Sequence, residues 1–199
     1  MTTECIALNL NLNTLTNMKK VHISNEEFKG LVQKLCRDIA NSDWRPDYVV
    51  GITRGGLTPA TMISHYFDVP CETLKVSLRD GGEGESNLWM AEDAFGYVPQ
   101  DQRGSGNADT DPALRKKILI VDDINDTGAT LEWIRQDWPG SCLPNHAAWD
   151  AVWNRNVRFA VVINNEASNY EQIDYSGRNI NKLDDPSWIV FPWENWWES

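Results

Sequence analysis

One stretch near the middle of the chain constrains the fold more than any other: Lys117-Ile118-Leu119-Ile120-Val121-Asp122-Asp123-Ile124-Asn125-Asp126-Thr127-Gly128-Ala129-Thr130-Leu131. Ile118 to Val121 is apolar and β-branched at three of its four positions. That pattern suits a strand buried on both faces of a parallel sheet. Two adjacent carboxylates, Asp122 and Asp123, follow where such a strand would emerge at its carboxyl end, the edge at which open α/β sheets bind ligands. Asp126 to Thr130 then supplies small residues and hydroxyls at a turn, and Leu131 to Trp138 continues in a helical pattern. Backbone N–H groups at such a helix start, with two Thr hydroxyls, suit a phosphate. Acids beside a phosphate cradle match a ribose phosphate, with hydroxyls to the carboxylates and phosphate to the amides. The chain contains no Gly-x-x-x-x-Gly-Lys-Ser/Thr, which argues against a P-loop triphosphate site.

A chain of 199 residues suits a single core, and a second full domain would be tight. Acids outnumber bases 29 to 18, for a net charge of −11. Such a chain repels nucleic-acid backbone, so no nucleic-acid partner is expected. Cys5, Cys36, Cys71 and Cys142 form no C-x-x-C, and the three histidines have no metal-ligand spacing, which predicts a reduced, cytoplasmic setting. No apolar run approaches the roughly 20 residues that span a bilayer, and no secretory signal is visible, so no membrane association is expected. Most of the ten tryptophans are expected in the core or at interfaces.

Taken in order, residues 1–20 read as a polar tail. Ser24 and Glu27 form a capping-box signature ahead of Phe28, Leu31, Val32, Leu35, Cys36 and Ile39, which predicts an amphipathic helix over 25–41. A strand over 47–53 runs into Arg54-Gly55-Gly56-Leu57-Thr58-Pro59, with a helix from about Pro59 to Phe67. Paired glycines after a strand allow a backbone to approach an anion closely, although a plain βα turn needs them too. A third strand is expected over 71–78. Residues 79–113 hold six glycines, two prolines and eight acids, broken by Leu88-Trp89-Met90 and Ala94-Phe95-Gly96-Tyr97. A segment of this kind reads as a functional lid or as disordered, and the aromatics here suggest a partly packed flap. Residues 147–153 look helical, and Val157 to Ile163 is a further buried strand.

With these residues in place, the central stretch resembles the 5-phosphoribosyl pyrophosphate (PRPP) loop of the type I phosphoribosyltransferases: a strand, two acids, then Asp-Thr-Gly-x-Thr. Arg54-Gly55 resembles the pyrophosphate loop of the same family, where a cis non-proline peptide often sits, here entering Arg54. Asp184-Asp185-Pro186-Ser187-Trp188-Ile189-Val190-Phe191-Pro192-Trp193-Glu194 resembles the end of the xanthine–guanine and hypoxanthine members. The resemblance implies an α/β fold, a mainly parallel twisted sheet flanked by helices, with a long mobile lid loop and a small C-terminal base-binding hood. It implies a tail over 1–20 and one domain over 21–199, with the lid at 79–116 and the hood at 164–199.

It further implies transfer of phosphoribosyl from PRPP to a purine base in purine salvage, releasing pyrophosphate. In that scheme the Arg54 and Gly55 amides and the guanidinium grip pyrophosphate. Asp122 and Asp123 bind the ribose hydroxyls, Asp123 through Mg²⁺. Asp126 faces N7 of the purine as a general acid/base, and Thr127, Gly128, Ala129 and Thr130 hold the 5′-phosphate. Trp188 stacks on the base, and the Ile189 carbonyl reads its 2-position. Arg79, Arg103 and Arg115 are candidates for a lid residue reaching pyrophosphate. A homo-oligomer, dimer or tetramer, is implied as well.

The sequence departs from the family at Asn164-Asn165-Glu166, where purine-using members commonly carry a lysine for the 6-oxo group. The departure keeps open a non-purine acceptor, and a PRPP- or nucleotide-binding regulator of the same fold is a further alternative.

Overall fold

The computed structural model describes residues 19–76, 88–104 and 109–198. Helix α1 spans Asn25–Asn41, and its start is set by Ser24, whose Oγ accepts a hydrogen bond from the Glu27 N–H at 3.1 Å. Glu27 turns its carboxylate to Arg178 at 2.7 Å. All six apolar residues at helical spacing in this segment are buried, so the stripe read from the sequence is the face laid on the sheet.

Strands β2 (Tyr48–Thr53), β3 (Cys71–Lys75), β4 (Ile118–Asn125), β5 (Val157–Asn165) and β6 (Tyr175–Ile180) form one parallel sheet in the order β3-β2-β4-β5-β6. Every strand therefore delivers its carboxyl end to the same edge. β4 lies in the centre, with Ile118 to Val121 wholly buried. It does not stop there: the ladder continues with Asp122 opposite Val161, Ile124 opposite Ile163 and Asn125 opposite Asn164. The acid pair thus lies inside the strand and not beyond it. The reason is β5, which runs two residues past Ile163 and offers ladder partners after the sequence of β4 has turned polar.

Alternation along the strands divides the core in two. Val50, Ile52, Ile120, Phe159 and Val161 face an aromatic layer of Trp138, Trp149, Trp153 and Phe95, while Val49, Leu119, Val121, Ala160 and Val162 face α1 and helix α2 (Leu57–Phe67). α2 begins two residues earlier than expected because Gly56 already has helical angles (φ −68, ψ −14), leaving Pro59 in the first turn, where its missing N–H costs nothing.

The segment expected as a lid contains helix α3 (Leu88–Phe95), whose Met90, Ala91, Ala94 and Phe95 enter the aromatic side of the core. The apolar spacing was present in the sequence but masked by the surrounding glycines and acids. Residues 77–87 and 105–108, with Arg79, lie outside the described residues. Helix α4 spans Ala129–Ser141, and Ala147–Ala151 is a single 3₁₀ stretch instead of a helix through 153.

A second, two-stranded parallel sheet pairs β1 (Lys19–His22) with β7 (Ser187–Val190). Lys19 and Lys20 are therefore strand residues, and Lys19 also pairs with Asp185 at 2.7 Å. Residues 1–18 lie outside the described part. The segment 164–199 divides between the main sheet, through β6, and this small sheet. Trp193 stacks on Phe191 and meets Phe28 edge-on, fastening the small sheet to α1. Among the described residues no helix is long and apolar enough to cross a membrane.

Candidate active site

At the carboxyl edge of the sheet lies a cavity of about 850 Å³, within the range of small-molecule sites. The β2 end contributes Thr53 and Arg54, joined by a cis peptide bond at the position the family resemblance implied. Gly55 follows, and a Cβ there would stand 1.9 Å from Asp123 Oδ2. A side chain at position 55 would have to displace the Asp123 carboxylate.

Asp122 and Asp123 are half-buried neighbours, with the Asp123 N–H donating to Asp122 Oδ1 at 3.0 Å. Burial pushes the Asp123 carboxyl up to about 6. Asp122 is raised well above the carboxylate range by burial and then by the charge on Asp123. Among the described residues neither acid has an ion-pair partner. Nor does any group of three or more metal-ligating side chains form there.

The turn from Asp126 to Thr130 lines the cavity throughout. Gly128 has φ +88°, and a Cβ there would meet the Tyr170 N atom at 2.6 Å, so its backbone angle and its neighbour both demand glycine. α4 starts at the next residue, and Thr127 Oγ1 accepts from the Ala129 N–H at 3.4 Å. Asn125, 2% exposed, holds the turn from below: its Nδ2 donates to Asn164 Oδ1 and to the Tyr170 carbonyl, each at 2.9 Å, and its Oδ1 accepts from Ser168 Oγ at 3.0 Å. This network was not anticipated. The signal was a polar residue at the end of a buried strand.

From the small sheet, Trp188 (38% exposed) and the buried Ile189 also line the cavity. Arg54, Asp122, Asp123, the Asp126–Thr130 turn, Trp188 and Ile189 all border this space, and Gly55 lies against Asp123. The two described lid arginines do not join them: Arg103 pairs with Asp109 at 2.7 Å, and Arg115 Nε donates to the Phe95 carbonyl at 3.1 Å. Among the described residues, the cations that line the cavity are Arg54, Lys75 and Lys182. Lys182 Nζ lies 2.8 Å from Asp126 Oδ1. Neither Asn164 nor Asn165 lines the cavity. Lys75 and Lys182 escaped sequence reading because each is a lone charge, without a motif, at a strand end or in a loop, and Glu194, at the end of the segment that resembles the family, was given no role.

A five-stranded parallel sheet with an acidic β4 end, a glycine turn into a helix and a small second sheet defines the class as the type I phosphoribosyltransferase fold. The family model described as phosphoribosyl transferase domain matches residues 21–198. Xanthine-guanine phosphoribosyltransferase of Cereibacter sphaeroides is 30% identical over 158 residues, 77% of this chain and 71% of that protein. Xanthine phosphoribosyltransferase 1 of Saccharomyces cerevisiae is 25% identical, covering 88% of this chain and 90% of its own. In fold, the crystal structure of a purine phosphoribosyltransferase from Pyrococcus horikoshii superposes with a TM-score of 0.58 at 23% identity, covering 89% of this chain and 96% of that one. The chain belongs to the phosphoribosyl transferase domain family.

Proposed function

We propose that this protein transfers the 5-phosphoribosyl group of PRPP to a ring nitrogen of an oxopurine (guanine, xanthine or hypoxanthine), forming a nucleoside 5′-monophosphate and pyrophosphate in purine salvage. The observation that carries the reading is one cavity bordered by three separate segments: the Arg54 loop, the stretch from Asp122 to Leu131, and Trp188-Ile189. Relatives named for xanthine and guanine, matching most of the chain, favour an oxopurine.

In this reaction the bond from the anomeric carbon to pyrophosphate breaks as the sugar becomes oxocarbenium-like, and a base nitrogen then bonds to that carbon. Arg54 and the Gly55 amide hold the departing pyrophosphate. Thr127 to Thr130, at the start of α4, hold the 5′-phosphate with backbone N–H groups and hydroxyls. Asp122 and Asp123 accept hydrogen bonds from the ribose hydroxyls. Asp126 takes the proton that purine N7 loses as the ring becomes a nucleophile. Trp188 stacks on the base, the Ile189 carbonyl faces its 2-position, and the assembled walls limit access of water to the activated sugar.

Two half-buried carboxylates, without an ion-pair partner among the described residues, fit Mg²⁺, which takes few carboxylates and completes its shell with substrate oxygens and water. Asp123 would hold it, with Asp122 adjoining; when bound, the ion supplies charge neutralisation and a template for pyrophosphate and ribose. The reading places the whole reaction in one domain, residues 21–199, with 79–116 as its lid and 164–199 as its base-binding hood. It extends to a cytoplasmic enzyme assembled as a dimer or tetramer, supported by exposed Trp196 and Trp197 and by free Cys36, Cys71 and Cys142.

Pyrophosphate release from PRPP and Mg²⁺ with guanine, xanthine, hypoxanthine, adenine, orotate and uracil tests the proposal. Release with at least one oxopurine is expected. Release with orotate or uracil alone would overturn the purine assignment, and PRPP binding without release on any base would favour the regulator.

A further inference from the structure

The strand end where relatives commonly place a base-reading lysine holds Asn165 here, and Asn165 is 6% exposed and committed to the backbone. Its Nδ2 donates to the Asp126 carbonyl at 2.9 Å. Its Oδ1 accepts from the Lys182 N–H at 3.0 Å and from the Ala167 N–H at 3.2 Å. One buried amide therefore ties together two backbones distant in sequence: the turn carrying Asp126 and the segment after β6 carrying Lys182. The side chains of the two tied residues meet, Lys182 Nζ to Asp126 Oδ1 at 2.8 Å, inside the cavity. Lys182 is not a solvated surface charge, since its side chain is only 17% exposed. An ammonium has three donors, and the contact with Asp126 occupies one.

An acceptor and a donor side by side have a natural counterpart. On an oxopurine, N7 and the 6-oxo oxygen share one edge. A carboxylate takes the N7 proton, and an adjacent ammonium donates to the oxygen. Adenine presents an amino group at the same place, which offers hydrogens to a group that has only hydrogens to give.

We infer that Lys182, positioned by Asn165, is the residue that selects an oxopurine by donating to its 6-oxo oxygen while pairing with Asp126. The inference rests on the proposed phosphoribosyl transfer and adds to it the residue that chooses the base. A cation thus reaches the cavity from the segment between β6 and β7, and Asn165 at the end of β5 ties that segment to the Asp126 turn.

The test compares kcat/KM for hypoxanthine and for unsubstituted purine, which lacks the oxygen, in the full chain and in the Lys182→Gln, Lys182→Arg and Asn165→Ala variants, with the KM for PRPP measured alongside. Lys182→Gln is expected to lower the preference for hypoxanthine by about 10- to 100-fold, the worth of a hydrogen bond from a charged donor. The KM for PRPP should stay within about twofold, since Lys182 lies outside the phosphate cradle. Lys182→Arg should keep most of the preference. Asn165→Ala should reduce it with Lys182 intact, as a positioning residue would. Equal loss on both bases, or loss of PRPP binding in both Lys182 variants, would make Lys182 a structural residue and overturn the inference. An active native chain with an unchanged preference in Lys182→Gln would sink the inference alone. A native chain inactive on every oxopurine would sink the functional reading beneath it.

Discussion

Ten consecutive residues, Asp122 to Leu131, line one part of the cavity, whereas Lys182, Trp188, Ile189, Phe191 and Glu194 line another from scattered positions on and around the small sheet. The first part is shaped by local backbone: the end of β4, the left-handed angle of Gly128 and the first turn of α4. The second depends on tertiary contacts, namely the Asn165 bridge, the β1–β7 ladder and the stack of Phe191 on Trp193. A contiguous wall gives a fixed cradle for a fixed substrate. An assembled wall can be altered piece by piece, which suits the part of a reaction in which the acceptor is chosen.

If that division holds, variants in the two walls should fail differently. The largest effect is expected in the contiguous wall: Asp126→Asn should lower kcat/KM by about 10²- to 10⁴-fold, measured as pyrophosphate release, with PRPP still binding by calorimetry. A loss under about tenfold would break the assignment of Asp126 to proton transfer.

Next comes the acid pair. Asp123 titrates near 6 in the folded chain against an ordinary 3.8. Between those values the folded state binds more protons than the unfolded state, so stability is lost as pH rises through the window. Without metal, Asp123→Asn should remove about 2 kcal/mol of that loss. Denaturant midpoints of both chains at about pH 4 and about pH 7 give the comparison; parallel slopes would show that Asp123 carries no such penalty.

In the assembled wall, Trp188→Ala should raise the KM for the base about tenfold, the worth of one stacking contact, while leaving that for PRPP unchanged. A matching rise for PRPP would merge the two walls into one functional unit. Smallest, Ser24→Ala removes the α1 cap and should cost about 1 kcal/mol of stability in thermal melts with neither KM affected.

Legibility followed the same division. The Asp122–Thr130 cradle could be read because its chemistry is consecutive, and the helix from Asn25 because its spacing and cap are local. The length of β4 could not, since strand ends depend on whether a neighbour still offers partners, and β5 does. The α3 helix was hidden by a glycine- and acid-rich setting whose composition outweighed four well-spaced apolar residues. β1 escaped because Lys19 and Lys20 have little strand character of their own, and only pairing with Ser187 and Trp188 makes them strand. Lys182 escaped for a related reason: a single lysine acquires meaning only from the asparagine that places it.

The β1–β7 ladder has a consequence for how the molecule comes into being. Lys19 and its partner Asp185 are separated by 166 positions. During synthesis β1 leaves the ribosome first among the described strands and must wait for nearly the whole chain before its partner exists. The sheet and the cradle of β4 can settle meanwhile. The strand carrying Trp188 and Ile189 is joined to β1 last, so that wall of the cavity is completed only after the rest of the chain has been made.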